Sequence, residues 1–109
     1  MPRQDALKGS LPLLVLKLLA RRGPLHGYAL ATQIEGMSGD ALRVEEGSLY
    51  PALHRLEEAG WIKARWATTE TGRRARVYDI TAAGRRELAE EEGRWKAITS
   101  AVGKVLRLA

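Results

Sequence analysis

The stretch EEGSLYPALHRLEEAG, residues 45–60, decides how the chain is read. At about 100° per residue, with Leu49 set at zero, Leu53 and Leu56 fall within about 40° of it and Ala52 and Ala59 flank them. That stripe is a core face. Gly47, Tyr50, Pro51, His54 and Glu58 gather on the opposite side, with Arg55 at its edge. The spacing predicts a helix over 47–59 that Gly60 ends. With Ser48 as its cap, Pro51 takes the third helical position, where a missing N–H breaks no intrahelical bond. A tyrosine and a proline therefore point outward from the first turn of an amphipathic helix.

The neighbouring segments give this helix its context. GSLPLLVLKLLARRG, 9–23, reads as a first helix capped by Ser10, with Pro12 in its first turn and Gly23-Pro24 as its stop. It is apolar nearly all round and is expected to be buried on more than one side. HGYALATQIEGM, 26–37, is a second helix with Leu30, Ile34 and Met37 at helical spacing. SGDALRVEE follows as a loop, with Val44 in a very short strand. Beyond Gly60, Ile62, Ala64 and Trp66 alternate with Lys63 and Arg65, and Tyr78 and Ile80 alternate with Val77 and Asp79. TTETGRR lies between, so the segment is a two-stranded hairpin with a basic tip. Thr81 caps a last helix reaching about Leu108. Three helices, a hairpin and a fourth helix give a mainly α chain of winged helix-turn-helix order.

In that order the outward face of the third helix is a candidate nucleic-acid reader. Tyr50 and His54 offer hydrogen bonds to base edges or phosphates, Pro51 offers apolar surface to a thymine methyl, and Arg55 is placed for a phosphate. Ser48 stands at the helix start, where the helix dipole favours an anion. Arg73, Arg74 and Arg76 follow Gly72 at the hairpin tip and suit a phosphate backbone or a narrow minor groove. Gly27 and Tyr28 open the second helix; the glycine permits close approach, and Tyr28 either reaches a phosphate or packs in the core. Trp61 and Trp66 are expected to pack the hairpin against the helices.

The totals agree. The chain has 109 residues, a formal net charge of +5 and a pI near 10.0, which favours a polyanionic partner. It has no cysteine, which excludes disulfides and thiolate metal sites and fits the cytoplasm. The apolar run 11–19 is broken by Lys17 and too short for a bilayer, so no membrane partner is expected. His26 and His54 lie on separate segments with no ligand cluster. No nucleophile–base pair or phosphate-binding glycine loop is visible, so neither a cofactor nor enzymatic activity is expected.

In the last helix Leu88, Trp95, Ile98, Val102, Val105 and Ala109 follow a seven-residue repeat, broken where Glu91 stands. Such a seam is expected to meet the same helix of a second subunit and form a homodimer. The division is then 1–81 for the winged domain and 82–109 for the dimerisation helix. Leu106 and Leu108 indicate a second contact, with the first helix.

LLVLKLLARRGPLHGYAL, GSLYPALHRLEEAGWI and GRRARVYDITAAGRREL together resemble the PadR family of bacterial transcriptional regulators, over nearly the whole chain. The resemblance implies a dimeric winged-helix repressor on an inverted-repeat operator in double-stranded DNA, of the short-tailed kind with one C-terminal dimerisation helix. It implies that Tyr50, Pro51 and His54 enter the major groove, with Arg73 and Arg74 on the wing. Lys8, Gly27 and Tyr28 would touch the DNA backbone. Some relatives take flat aromatic effectors at the dimer interface, which would bring Trp95 against such a molecule. The alternative is a winged-helix module that binds protein instead of DNA.

Overall fold

The computed structural model describes the backbone of residues 3–109 and the side chains of residues 9–109. Seven elements follow in order: α1 (Arg3–Arg22), β1 (Leu25–His26), α2 (Gly27–Met37), α3 (Glu46–Glu58), β2 (Ile62–Thr68), β3 (Arg74–Ile80) and α4 (Ala82–Leu108). The expected winged helix-turn-helix with a C-terminal helix is the architecture found.

α1 is the axle of the core. Leu11, Val15, Leu16, Leu18 and Leu19 are all buried, and around them pack Leu30 and Ile34 of α2, Leu49, Leu53 and Leu56 of α3, and Ile62, Tyr78 and Ile80 of the sheet. The helix begins well before the predicted start. Ser10 is inside it, not at its cap, and Pro12 interrupts its hydrogen-bond ladder. A proline within a helix removes one N–H bond and crowds the preceding turn; here buried Leu11 precedes it and Val15, Leu16, Leu18 and Leu19 follow it into the core.

The wing gains a strand that the sequence did not announce. β2 and β3 pair antiparallel from Ile62↔Ile80 to Thr68↔Arg74, and β1 adds to the other edge of β3 through Leu25↔Tyr78 and His26↔Val77. The order is β1-β3-β2. Two residues are too few to show a period of two, so β1 exists only through its distant partner. Val44, expected in a short strand, instead lies in the loop before α3 and is buried in the core. The Val44 N–H donates to Glu35 Oε2 at 2.8 Å, which ties that loop back to α2.

α4 joins at a tight corner. The Leu56 carbonyl accepts from the Trp61 N–H at 3.0 Å as α3 ends, and the Trp61 carbonyl accepts from the Thr81 N–H at 3.0 Å. The Thr81 hydroxyl donates to the Gly60 carbonyl at 2.7 Å and accepts from the Gly84 N–H at 3.0 Å, so Thr81 is the helix cap expected of it. Gly84 is buried there: a methyl in place of its hydrogen would stand 2.0 Å from the Trp61 carbonyl oxygen. Leu88 enters the core, and Lys17 Nζ donates to both carboxylate oxygens of Glu92 at 3.1 Å. After Glu92 the helix leaves the domain. Leu106 and Leu108, expected against α1, are instead 78% and 84% exposed. The projecting helix raises the radius of gyration to 15.1 Å, against about 13 Å for a compact chain of this length.

Candidate nucleic-acid interface

α3 buries Leu49, Ala52, Leu53 and Leu56 and leaves Tyr50, Pro51, His54 and Arg55 exposed, as its periodicity requires. Ala59, expected to flank the core, is exposed at the helix end. The N-terminus differs from expectation in a way that changes Pro51. Glu45, not Ser48, is the N-cap, and its carbonyl accepts from the N–H groups of Ser48 and Leu49 at 3.0 and 2.9 Å. Pro51 is therefore beyond the first turn, and its missing N–H does remove the intrahelical bond to the Gly47 carbonyl. Gly47 is exposed, with open space where a side chain would stand.

Tyr50 is held from below. Gly27 is buried at the start of α2, and a methyl on it would lie 2.8 Å from Tyr50 Oη and 3.1 Å from Cε1. The glycine thus makes room for the tyrosine ring. Tyr28 does not pack in the core; it is 76% exposed and stacks on His26 with ring centroids 6.5 Å apart. His26 closes the start of α2, its Nδ1 accepting from the Ala29 N–H at 3.2 Å. Sequence reasoning misses an N-cap histidine, because the usual cap residues are Ser, Thr, Asp and Asn. Lys8 lies in α1, but its side chain is outside the described residues.

The wing turns at Glu70–Thr71–Gly72. The Thr69 carbonyl accepts from the Gly72 N–H at 2.9 Å, and the Arg73 carbonyl from the Thr69 N–H at 2.7 Å. Gly72 has φ +82°, the left-handed conformation that closes a three-residue hairpin loop. Arg73 and Arg74 are exposed beside it and make no ion pair among the described residues. Arg76 is different: its Nη2 reaches Glu57 Oε2 on α3 at 2.9 Å. Arg55 makes no ion pair among the described residues; Glu58 Oε2 lies 3.5 Å from His54 Nε2 instead.

Trp66 corrects another expectation. It stands on the core-facing side of β2 with Ile62 and Ala64, but past the edge of the core, and is 59% exposed. With His26, Gly27, Tyr28, Tyr50, Arg76 and Tyr78 it lines an open groove between α2, α3 and the wing. Burial holds the Tyr78 phenol above its ordinary value, with Arg76 opposing the shift. This groove of aromatic rings and Arg76, beside the exposed face of α3, presents hydrogen-bond donors and apolar edges to one side of the molecule. Among the described residues no acidic or histidine cluster could hold a metal ion, and no helix is long and apolar enough to cross a membrane.

The α4 residues expected to form an interface divide in two. Leu88 lies in the chain's own core, whereas Trp95, Ile98, Val102 and Val105 are exposed along one helix.

Comparison with known proteins gives a consistent result. The profile of the PadR-like family of transcriptional regulators matches residues 15–90. A PadR family transcriptional regulator from Eggerthella lenta has a TM-score of 0.81 at 31% identity, covering 97% of this chain and 89% of that one. A PadR-like transcriptional regulator from Bacillus cereus has a TM-score of 0.82 at 27% identity, covering 96% and 99%. A transcriptional regulator of Mycobacterium tuberculosis is 40% identical over 67 residues, which span 62% of this chain and 59% of that protein.

Proposed function

This chain belongs to the PadR-like family of transcriptional regulators, and from that premise we propose that it is a homodimeric repressor of an inverted-repeat operator, released by a small aromatic effector. The observation that carries the reading is the exposed row Tyr50, Pro51, His54 and Arg55 on α3, set beside Arg73 and Arg74 of the wing, which have no acidic partner among the described residues. In this reading α3 enters the major groove and the wing arginines grip the flanking backbone. Ser48 and the N-terminus of α3 face a phosphate, and so does Tyr28. Gly27 contributes through the ring of Tyr50 that it accommodates.

Residues 82–109 form the dimerisation helix, with Trp95, Ile98, Val102 and Val105 as the seam, and 1–81 form the DNA-binding domain. The exposed stripe on α4 supports this, because an apolar helix face of that length is rarely left to water. Two α3 helices related by a two-fold would then meet successive major grooves roughly 34 Å apart. Trp95 is the residue placed to meet a flat effector.

Selection of bound duplexes from a random pool, followed by binding at several salt concentrations, tests the DNA roles. Arg73→Ala with Arg74→Ala is expected to weaken binding to every duplex and to flatten the log–log salt slope by roughly 1.8, about 0.9 for each phosphate no longer neutralised. Tyr50→Ala is expected to weaken the selected site by roughly 10- to 100-fold with little change on random DNA. No enrichment from the pool would end the operator reading, and unchanged preference in Tyr50→Ala would remove α3's outward face from it.

A further inference from the structure

We propose that Trp66 is a positioning residue of the DNA-binding surface, its indole face ordering Arg74 and Arg76 and, through Arg76 and Glu57, fixing the wing to α3. This rests on the DNA-binding reading above and adds to it a residue with no role there. The strand register supplies the geometry. Trp66 lies directly opposite Arg76 on β3, and Arg74 is its diagonal neighbour, so all three side chains leave the same face of the hairpin. That face is buried at Ile62, Tyr78 and Ile80 and then runs out past the core.

The guanidinium carbons of Arg74 and Arg76 sit 5.4 and 6.0 Å from the Trp66 ring centroid. A cation over a ring face is attracted by the π electrons without using an N–H donor. Arg74 therefore keeps its donors for a phosphate while its long side chain is confined. Arg76 gives one donor to Glu57, 2.9 Å away on α3. The chain of contacts Glu57–Arg76–Trp66–Arg74 thus runs from the recognition helix to the wing, across a hairpin that is otherwise attached mainly at its base. With 59% of its surface exposed, Trp66 contributes little to the core, so a packing role alone does not account for a tryptophan here.

The test uses Trp66→Val, which keeps a strand-forming residue, and Trp66→Phe, which keeps an aromatic face. In the full chain without DNA, side-chain NMR of the arginines should show ring-shifted, ordered Nε–H signals for Arg74 and Arg76. These signals should be lost in Trp66→Val and largely kept in Trp66→Phe. Duplex binding by Trp66→Val should fall by roughly three- to tenfold with a shallower salt slope, recover in Trp66→Phe, and be unaffected by Trp66→Val in an Arg74→Ala, Arg76→Ala background. The thermal midpoint should stay close to that of the unchanged chain. Absence of the ring shifts in the unchanged chain overturns the clamp. A binding loss that persists without the two arginines also overturns it, because Trp66 would then touch DNA itself. A loss accompanied by a fallen midpoint overturns it in favour of packing. Intact ring shifts in a chain that binds no duplex would instead remove the DNA-binding reading, and Trp66's DNA role with it.

Discussion

On α3 and the wing, Arg55, Arg73 and Arg74 stand without an acidic partner among the described residues, whereas on α4 Arg94 alone faces Glu87, Glu90 and Glu91. Lys96 and Lys17 likewise share Glu92. The acidic residues of α4 are thus paired with cations, while its apolar side chains stand bare, with Trp95 at 52% exposure. α3 and the wing tip do the reverse, with Leu49, Leu53 and Leu56 buried and Arg55, Arg73 and Arg74 left unmatched. In the proposed reading the surface of α3 and the wing suits a polyanion and that of α4 suits another apolar face.

The largest effect expected from breaking this contrast comes at α4. Ile98→Glu with Val102→Glu puts carboxylates into the proposed seam, where a buried unpaired charge is costly. Sedimentation should show the dimer dissociation constant rising by roughly 100- to 1,000-fold. A wild-type chain that sediments as a monomer at every concentration would leave the apolar face without the partner assigned to it.

A smaller effect is expected at the corner joining the two regions. In Gly84→Ala the new methyl meets the Trp61 carbonyl oxygen at 2.0 Å and Ile80 Cγ1 at 2.8 Å. Neither is the loose end of a flexible side chain, so α4 must shift at a cost of about 1–3 kcal/mol. A thermal midpoint equal to that of the unchanged chain would show the corner to be more pliant than its hydrogen bonds imply.

The smallest effect is at the Lys17–Glu92 pair. Its hydrogen bond from Lys17 holds the Glu92 carboxyl below the usual carboxylate value. A lowered carboxyl contributes stability that is present above the unfolded value and is lost as pH falls through the folded one. Glu92→Gln should therefore lower the thermal midpoint by a few degrees at most near neutrality, because the pair is partly in water. The difference should close below the ordinary carboxylate range. Parallel melting curves across acid and neutral pH check this, and a gap that widens in acid would give the pair the wrong sign.

The contrast is partly legible in the sequence. The helical period places Leu49, Leu53 and Leu56 inside and Tyr50 and His54 outside, because one face of α3 meets a core and the other meets none. The wing and the Thr81 cap are local patterns, and both stand where those patterns put them. Helix starts do not: Ser10 and Ser48 have cap chemistry, but both helices begin earlier, and α3 begins on a Glu45 whose side chain makes no cap bond. Strand alternation gives the right face for Trp66 without saying where the core stops. Its arginine contacts and the Arg76–Glu57 pair depend on register and on residues 19 positions apart, which no short window contains. β1 escapes detection for the same reason, since it is defined by β3.

The way α4 leaves the domain has a mechanical side. Its attachments end at Glu92, and from there to its end at Leu108 the helix extends about 24 Å at 1.5 Å per residue. A rotation of about 10° just beyond Glu92 would carry the far end through about 4 Å, most of the pitch of one helical turn. With the far ends clasped in a dimer, the same rotation would swing the two winged domains. Helix α4 would then be a lever whose fulcrum is the turn that Lys17 ties to the domain through Glu92.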